Sequence, residues 1–181
     1  MKIIVTGVPG VGKSSVVKGL VEDGWRLIGF GTIMLEIAKE KHGINDRDEM
    51  RRKLKVSEYR EVQIAAAKKI AEMDGKVLVD THASIINSGW YYPGLPMNQL
   101  LSLKADGILV VEADPKELQL RRKKDAGIRK RDEFPFEMQD INRYFVSAYS
   151  AISGAPVFFI KNREGKLEDS IEAVKKACES L

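Results

Sequence analysis

The chain has 181 residues, 44% of them apolar and 31% charged, with 30 Lys and Arg against 26 Asp and Glu for a formal charge of +4. That length suits one domain that buries its own core without a disulfide or structural metal, and the single cysteine, Cys178, excludes an intrachain disulfide framework and a Cys-based zinc site. The composition excludes disorder and a membrane span, so the expectation is a cytoplasmic protein with no membrane partner, and the small positive excess gives no reason to expect nucleic acid as a partner.

In chain order, short apolar and β-branched runs at 2–6, 26–30, 76–79, 107–111 and 156–160 read as five strands. Their nearly unbroken apolar character predicts burial on both faces of a parallel sheet. Helical segments lie between them, which gives an α/β fold. The stretch 57–73 starts at Ser57 as N-cap, carries Val62, Ala65, Ala66, Lys69 and Ile70 on one stripe, and stops before Asp74-Gly75. Asp114-Pro115-Lys116-Glu117 predicts a second helix start, with Asp as cap, Pro at the first position and Glu three residues on. The segment 167–181 is a third amphipathic helix, and His42 beside Gly43 reads as a helix C-terminus. Two polar, basic stretches, roughly 32–54 and 124–135, interrupt this single domain of residues 1–181 and are candidates for movable flaps.

Gly7-Val8-Pro9-Gly10-Val11-Gly12-Lys13-Ser14 fits G-x-x-x-x-G-K-[ST] directly after a strand and before a helix. Composition alone produces this pattern roughly once in 100 chains of this length, and the strand–loop–helix context makes chance rarer still. Glycines let successive backbone N–H groups turn inward around phosphate oxygens. Lys13 would then reach the β- and γ-phosphates, and the Ser14 hydroxyl would ligate Mg²⁺. Asp80, in Val79-Asp80-Thr81-His82, ends the third strand, where a P-loop protein keeps the carboxylate that holds its metal. The alternative for Asp80 is a turn cap. His82 could orient Asp80, touch a phosphate, or be structural. No D-x-x-G follows the third strand and Lys161-Asn162-Arg163-Glu164 is no N-K-x-D, which excludes a GTPase switch. A large motor or AAA-type ATPase needs more chain. A small phosphotransferase remains.

Taken together, VTGVPGVGKS at the N-terminus, DRDEMR at 46–51, VDTH at 79–82, PGLP at 93–96, EADP at 112–115 with Arg121 beyond, RKRD at 129–132 and NRY at 142–144 resemble the archaeal-type adenylate kinases. These belong to the P-loop nucleoside monophosphate kinase superfamily. The resemblance implies a five-stranded parallel sheet flanked by helices in the order 2-3-1-4-5, an AMP-binding flap at about 32–54 and a short lid at about 125–134. It implies reversible, Mg²⁺-dependent phosphoryl transfer from ATP to AMP, giving two ADP, and homo-oligomers in some relatives, trimers among them. The catalytic set would be Lys13, Arg51, Arg121, Arg129, Arg131 and Arg143. Gly7, Val8, Pro9, Gly10, Val11, Gly12, Lys13, Ser14, Ser15, Gly31 and Asn162 would contact nucleotide, and Ser14 and Asp80 the metal.

Three stretches depart from the family pattern. Relatives read N-[FY]-G-D where this chain has Gly29-Phe30-Gly31-Thr32. DEMRRKL carries one basic residue more than the usual DEMRKL, and its distance from DEM favours Arg51 over Arg52 as the phosphate contact. Asn87-Ser88-Gly89-Trp90-Tyr91 replaces the usual residues before PGLP. The acceptor in this chemistry is an already ionised phosphate oxygen, so no general base is needed and charge neutralisation carries catalysis. The rival readings are another small-molecule or nucleoside monophosphate kinase and an ATP-dependent assembly factor of similar fold. An alcohol acceptor would want a second catalytic acid, and none stands out beside Asp80.

Overall fold

The computed structural model describes residues 1–87, 89–125 and 135–181. Its strands in chain order are β1 Lys2–Thr6, β2 Arg26–Gly29, β3 Val77–Asp80, β4 Ser84–Asn87, β5 Trp90–Pro93, β6 Gly107–Glu112 and β7 Val157–Lys161. The helices are α1 Lys13–Val16, α2 Lys18–Glu22, α3 Phe30–His42, α4 Arg47–Lys53, α5 Val56–Ala71, α6 Met97–Leu103, α7 Pro115–Asp125, α8 Pro135–Ser153 and α9 Leu167–Glu179. Five strands form one sheet in the order β2-β3-β1-β6-β7, parallel throughout. That is the expected topology, with every strand within a residue of its predicted bounds.

Burial of these strands follows their place in the sheet. The three inner strands are the buried ones: Ile3, Ile4 and Val5 of β1, Val77 to Val79 of β3 and all of β6. The expectation of two buried faces fails at both edges. Leu27 of β2 is 40% exposed and Phe159 of β7 is 45% exposed, because an edge strand has one lateral neighbour and less helix above it. Two apolar layers sandwich the sheet. On one side α3, α5, α6 and α8 cover Ile4, Val79, Ile108 and Val110. On the other α1, α2 and α9 cover Ile3, Val5, Leu109 and Val111.

Several local readings shift. Helix α5 is capped at Lys55, two residues before the predicted Ser57 cap, where the Glu58 carboxylate accepts the Lys55 N–H at 2.8 Å. Its buried stripe is Val62, Gln63, Ala66, Ala67 and Ile70. Lys69 leaves that stripe and meets Glu36 across the surface at 3.2 Å. At α7 Asp114 caps as expected, accepting the Lys116 N–H at 2.9 Å, but Glu117 turns to Arg121 and the Glu164 N–H and does not close a box. His42 ends α3, with Gly43 left-handed after it.

Most of the stretch 32–54 is helical. It holds nearly all of α3 and the whole of α4, and Ile33, Met34, Ile37, Ala38, Ile44 and Met50 are buried in the first layer. Asp46 caps α4 by accepting the Glu49 N–H at 2.7 Å. The lid stretch 125–134 lies outside the described residues apart from Asp125, which ends α7. The antiparallel pair β4–β5 lies outside the five predicted strands, and its turn uses Gly89 at φ +78°.

Candidate active site

Parallel register sets the ends of the strands level. Gly29 pairs with Asp80, Asp80 with Val5, and Thr6 with Val110, so the segments leaving β1, β2, β3 and β6 emerge along one edge. Ligands of open α/β sheets bind at that edge. The phosphate loop leaves β1 hard against β6: a Cβ on Gly7 would stand 2.2 Å from the Val111 carbonyl oxygen. Gly12 sits at φ +86°, and its carbonyl accepts the Val16 N–H at 3.0 Å. Lys13 folds back over the loop. Its Nζ donates to the Gly7 carbonyl at 3.0 Å and lies 3.8 Å from Asp80 Oδ1. That oxygen is buried with no hydrogen-bond partner, while Ser14 and Ser15, which follow Lys13 in α1, are exposed.

The β6–β7 side of the loop is braced. Asn162, 6% exposed just past β7, donates through Nδ2 to the Val11 carbonyl at 2.8 Å and through its backbone N–H to the Glu112 carbonyl at 2.7 Å. A side chain on Gly12 would meet that amide at 2.4 Å. Arg121 of α7 adds a second grip, reaching the carbonyls of Val11 at 3.4 Å and Asn162 at 3.2 Å, and it is paired with Glu117 and Glu164.

Helix α8 places four polar side chains on strand ends. Gln139 exchanges two hydrogen bonds with the Ala113 backbone, at 3.0 and 3.1 Å. Asn142 accepts from the Ser84 hydroxyl at 2.7 Å. Arg143 holds Glu112 through two parallel hydrogen bonds, Nε to Oε1 at 2.6 Å and Nη2 to Oε2 at 2.7 Å. Those bonds raise the affinity of the guanidinium for its proton, against the opposing effect of burial. Tyr149 donates to the Ala83 carbonyl at 2.6 Å and accepts the Leu95 N–H at 3.1 Å.

A cavity of about 960 Å³ lies between α5, the β4–β5 pair that follows β3 in the chain, and the start of α6. Leu54, Tyr59, Gln63, Ile86, Pro96 and Gln99 are among its lining residues. Gln63 and Gln99 are 7% and 4% exposed, and Gln99 Oε1 has no hydrogen-bond partner. Nearby, Gly31 packs against the Arg47 guanidinium, which donates to Thr32 Oγ1 at 2.9 Å.

The structure thus brings Gly7 to Ser15, Asp80, Arg121, Arg143 and Asn162 to one edge of the sheet, with Gly31 at the end of neighbouring β2. Arg51 is on α4, three residues before Leu54, and its side chain lies outside the described atoms; Arg129 and Arg131 lie outside the described residues. The His82 side chain is exposed, and its carbonyl lies so close to Gly94 that a Cβ there would stand 1.7 Å away. Sequence reasoning missed Glu112, Gln63, Gln99 and Tyr149. Glu112 had a signal, since a carboxylate ends the most buried strand, but its partner stands 31 residues away.

A central parallel strand that ends in a phosphate loop, with Lys13, Arg121 and Arg143 gathered around it, defines a P-loop phosphotransferase. A family model described as an AAA domain matches residues 6–137. Among curated proteins, the adenylate kinase of Pyrobaculum aerophilum is 46% identical over 93% of this chain and 87% of its own length. That of Methanopyrus kandleri is 40% identical over 99% and 98%. Among solved structures, shikimate kinase from Bacteroides thetaiotaomicron superposes with a TM-score of 0.58 over 99% of this chain and 98% of that one, at 15% identity, a likeness of fold alone. The chain belongs to the adenylate kinase family.

Proposed function

We propose that this adenylate kinase moves the γ-phosphoryl group of MgATP to AMP, and back from two ADP, with the donor on the phosphate loop and the acceptor on the β2–β3 side. The observation that carries this is the asymmetry of the sheet edge. The loop is braced on the β6–β7 side by Asn162 and Arg121, while the cavity with its buried amides lies between α5, the start of α6 and the β4–β5 pair that follows β3. Two nucleotides laid phosphate to phosphate would meet where Lys13 faces Asp80.

Gly7 to Ser15 contact the donor phosphates through backbone amides and hydroxyls, and Lys13 neutralises charge on the group in transit. Asn162 acts by fixing Val11, and Gly31 gives close passage at the acceptor phosphate. Arg51, Arg121, Arg129, Arg131 and Arg143 clamp donor and acceptor. Mg²⁺ fits the residues present: the buried, unpartnered Asp80 Oδ1 and the exposed Ser14 hydroxyl are hard oxygen donors of the kind it takes. When bound it would neutralise phosphate charge and orient the β- and γ-oxygens. The helical pair α3–α4 and the stretch 125–134 close over the nucleotides and exclude water, which otherwise would compete as acceptor. The acceptor base enters the cavity, where Gln99 Oε1 receives the exocyclic amine of adenine. The protein works in the cytoplasm.

The test is a coupled assay with MgATP and each of AMP, GMP, CMP and UMP. The expected result is ADP formed in a 2:1 ratio to AMP consumed, with AMP preferred. Slow ATP hydrolysis indifferent to AMP would overturn the reading in favour of a nucleotide-dependent switch.

A further inference from the structure

Each described arginine assigned to the clamp is paired with carboxylates, but the pairs differ in kind. Arg121 faces two carboxylates that are 29% and 73% exposed, at 3.3 and 3.1 Å. Arg143 faces one that is 5% exposed, at 2.6 and 2.7 Å in fork geometry. An ionised carboxylate is rarely buried to that degree without a role, because desolvation is costly and only close pairing offsets it. Glu112 has no part in metal binding as assigned above, nor in any proton transfer.

We propose that Glu112 is a positioning residue for phosphoryl transfer: it grips the Nε–Nη2 edge of Arg143 so that the remaining edge of the guanidinium is presented to the nucleotide phosphates. This rests on the reading that Arg143 contacts those phosphates. Three observations carry it. Both oxygens of Glu112 are used on one edge of the guanidinium, which fixes its plane, whereas a single contact would leave it free to rotate. Glu112 ends β6, its carbonyl accepts the Asn162 N–H, and Asn162 in turn holds the loop carbonyl of Val11, so the carboxylate is tied to the donor loop by rigid backbone. The far end of Arg143, Nη1, is left with Asp140, a 60% exposed partner at 3.4 Å that a phosphate can displace. The buried acid is therefore a fixed mount and the exposed acid a replaceable one.

The test is a kinetic cycle of Glu112→Gln, Arg143→Ala and the double variant, with Glu112→Asp as a fourth protein. A displacement of about 1 Å in a reacting group costs on the order of 10²-fold. The expected result is therefore a kcat for Glu112→Gln lowered roughly 10–100-fold, with KM for ATP and AMP moved far less. In the Arg143→Ala background the same change should lower kcat no further, and Glu112→Asp should recover part of the loss. A purely structural Glu112 would lower kcat by the same factor in both backgrounds and lower the melting temperature in step; that outcome overturns the proposal. So does a Glu112→Gln enzyme with wild-type kcat while Arg143→Ala is impaired. Wild-type kcat in Arg143→Ala would instead remove the clamp reading beneath it, and absence of AMP-dependent turnover in the wild type would remove the kinase reading, so the failures are distinguishable.

Discussion

Tyr149→Phe removes one oxygen, and the structure shows what that oxygen holds. The hydroxyl joins the Ala83 carbonyl to the Leu95 N–H, tying the segment after Asp80 to the PGLP turn, in a site where the tyrosine is 4% exposed. Phenylalanine fills the space and strands the buried Leu95 N–H, while the Ala83 carbonyl keeps the Gly94 N–H at 2.9 Å. At roughly 1–3 kcal/mol for a stranded backbone group, about that much stability is lost, because the shape and apolar area stay the same. For a chain of this size that corresponds to a melting temperature lower by roughly 2–12 °C.

The same burial pushes the Tyr149 phenol up to about 12 from an ordinary value near 10. A raised pKa favours the protonated folded state. Its contribution is complete below the unfolded value near 10 and is lost as pH climbs through about 12. At about 1.4 kcal/mol per unit the loss is on the order of 2–3 kcal/mol. Urea unfolding of both proteins at pH 8 and pH 12 isolates this from the lysines titrating alongside. The gap between wild type and Tyr149→Phe should narrow by about that amount at the higher pH. A gap that is absent at pH 8, or that stays constant with pH, would refute the account of the hydroxyl as a buried clamp.

The loop and the cavity give further expectations. Lys13→Ala should lower kcat by roughly 10²–10³-fold or more with little change in melting temperature, since the side chain spans a surface loop; activity within tenfold of wild type would sink its role. Asp80→Asn should bind nucleotide but lose its response to Mg²⁺, because the amide keeps the shape without the charge, and a magnesium titration matching wild type would make Asp80 a turn cap. Gln99→Leu should raise KM for AMP and blur its discrimination from other monophosphates by roughly 5–150-fold, the worth of one base-edge contact of about 1–3 kcal/mol. KM for ATP should hold; an unchanged base preference would place the acceptor base elsewhere.

The parts legible in the sequence are those written in neighbouring residues. The phosphate loop, Asp80 at the end of its strand and the five apolar runs each announce themselves within ten residues, because a strand's burial and a loop's φ angles are local demands. Edge exposure was not legible. The run at 156–160 is as apolar as those of the inner strands, and only its place at the end of the order leaves Phe158 and Phe159 half in water. Nor was the flap's helical nature, since its charged outer residues outnumber Ile33, Met34 and Ile37, which anchor it. Glu112 with Arg143, Ser84 with Asn142 and Ala83 with Tyr149 join residues 31, 58 and 66 positions apart. Such pairs follow from α8 crossing the ends of β6 and β4, which no window of sequence contains.

The contrast between the charge pairs also bears on how the site holds its cations together. Lys13, Arg121 and Arg143 crowd one edge of a chain with net charge +4, and without counter-charges they would repel one another in a site built to receive anions. Each has an acid, but the acids differ in how readily they let go. Lys13 and Asp80 stand 3.8 Å apart, beyond hydrogen-bond length, with Asp80 Oδ1 unpartnered. That is a contact a phosphate oxygen and a cation can replace at little cost, because the two charges gain better partners than they lose. Arg143 is half exposed, but its partner Glu112, 2.6 Å away, is nearly out of water, so the two cannot part without stranding a buried carboxylate. Binding of nucleotide should therefore rearrange the Lys13–Asp80 pair and leave the Arg143–Glu112 pair intact, so the rigid arginine becomes the reference against which the lysine and its phosphates align.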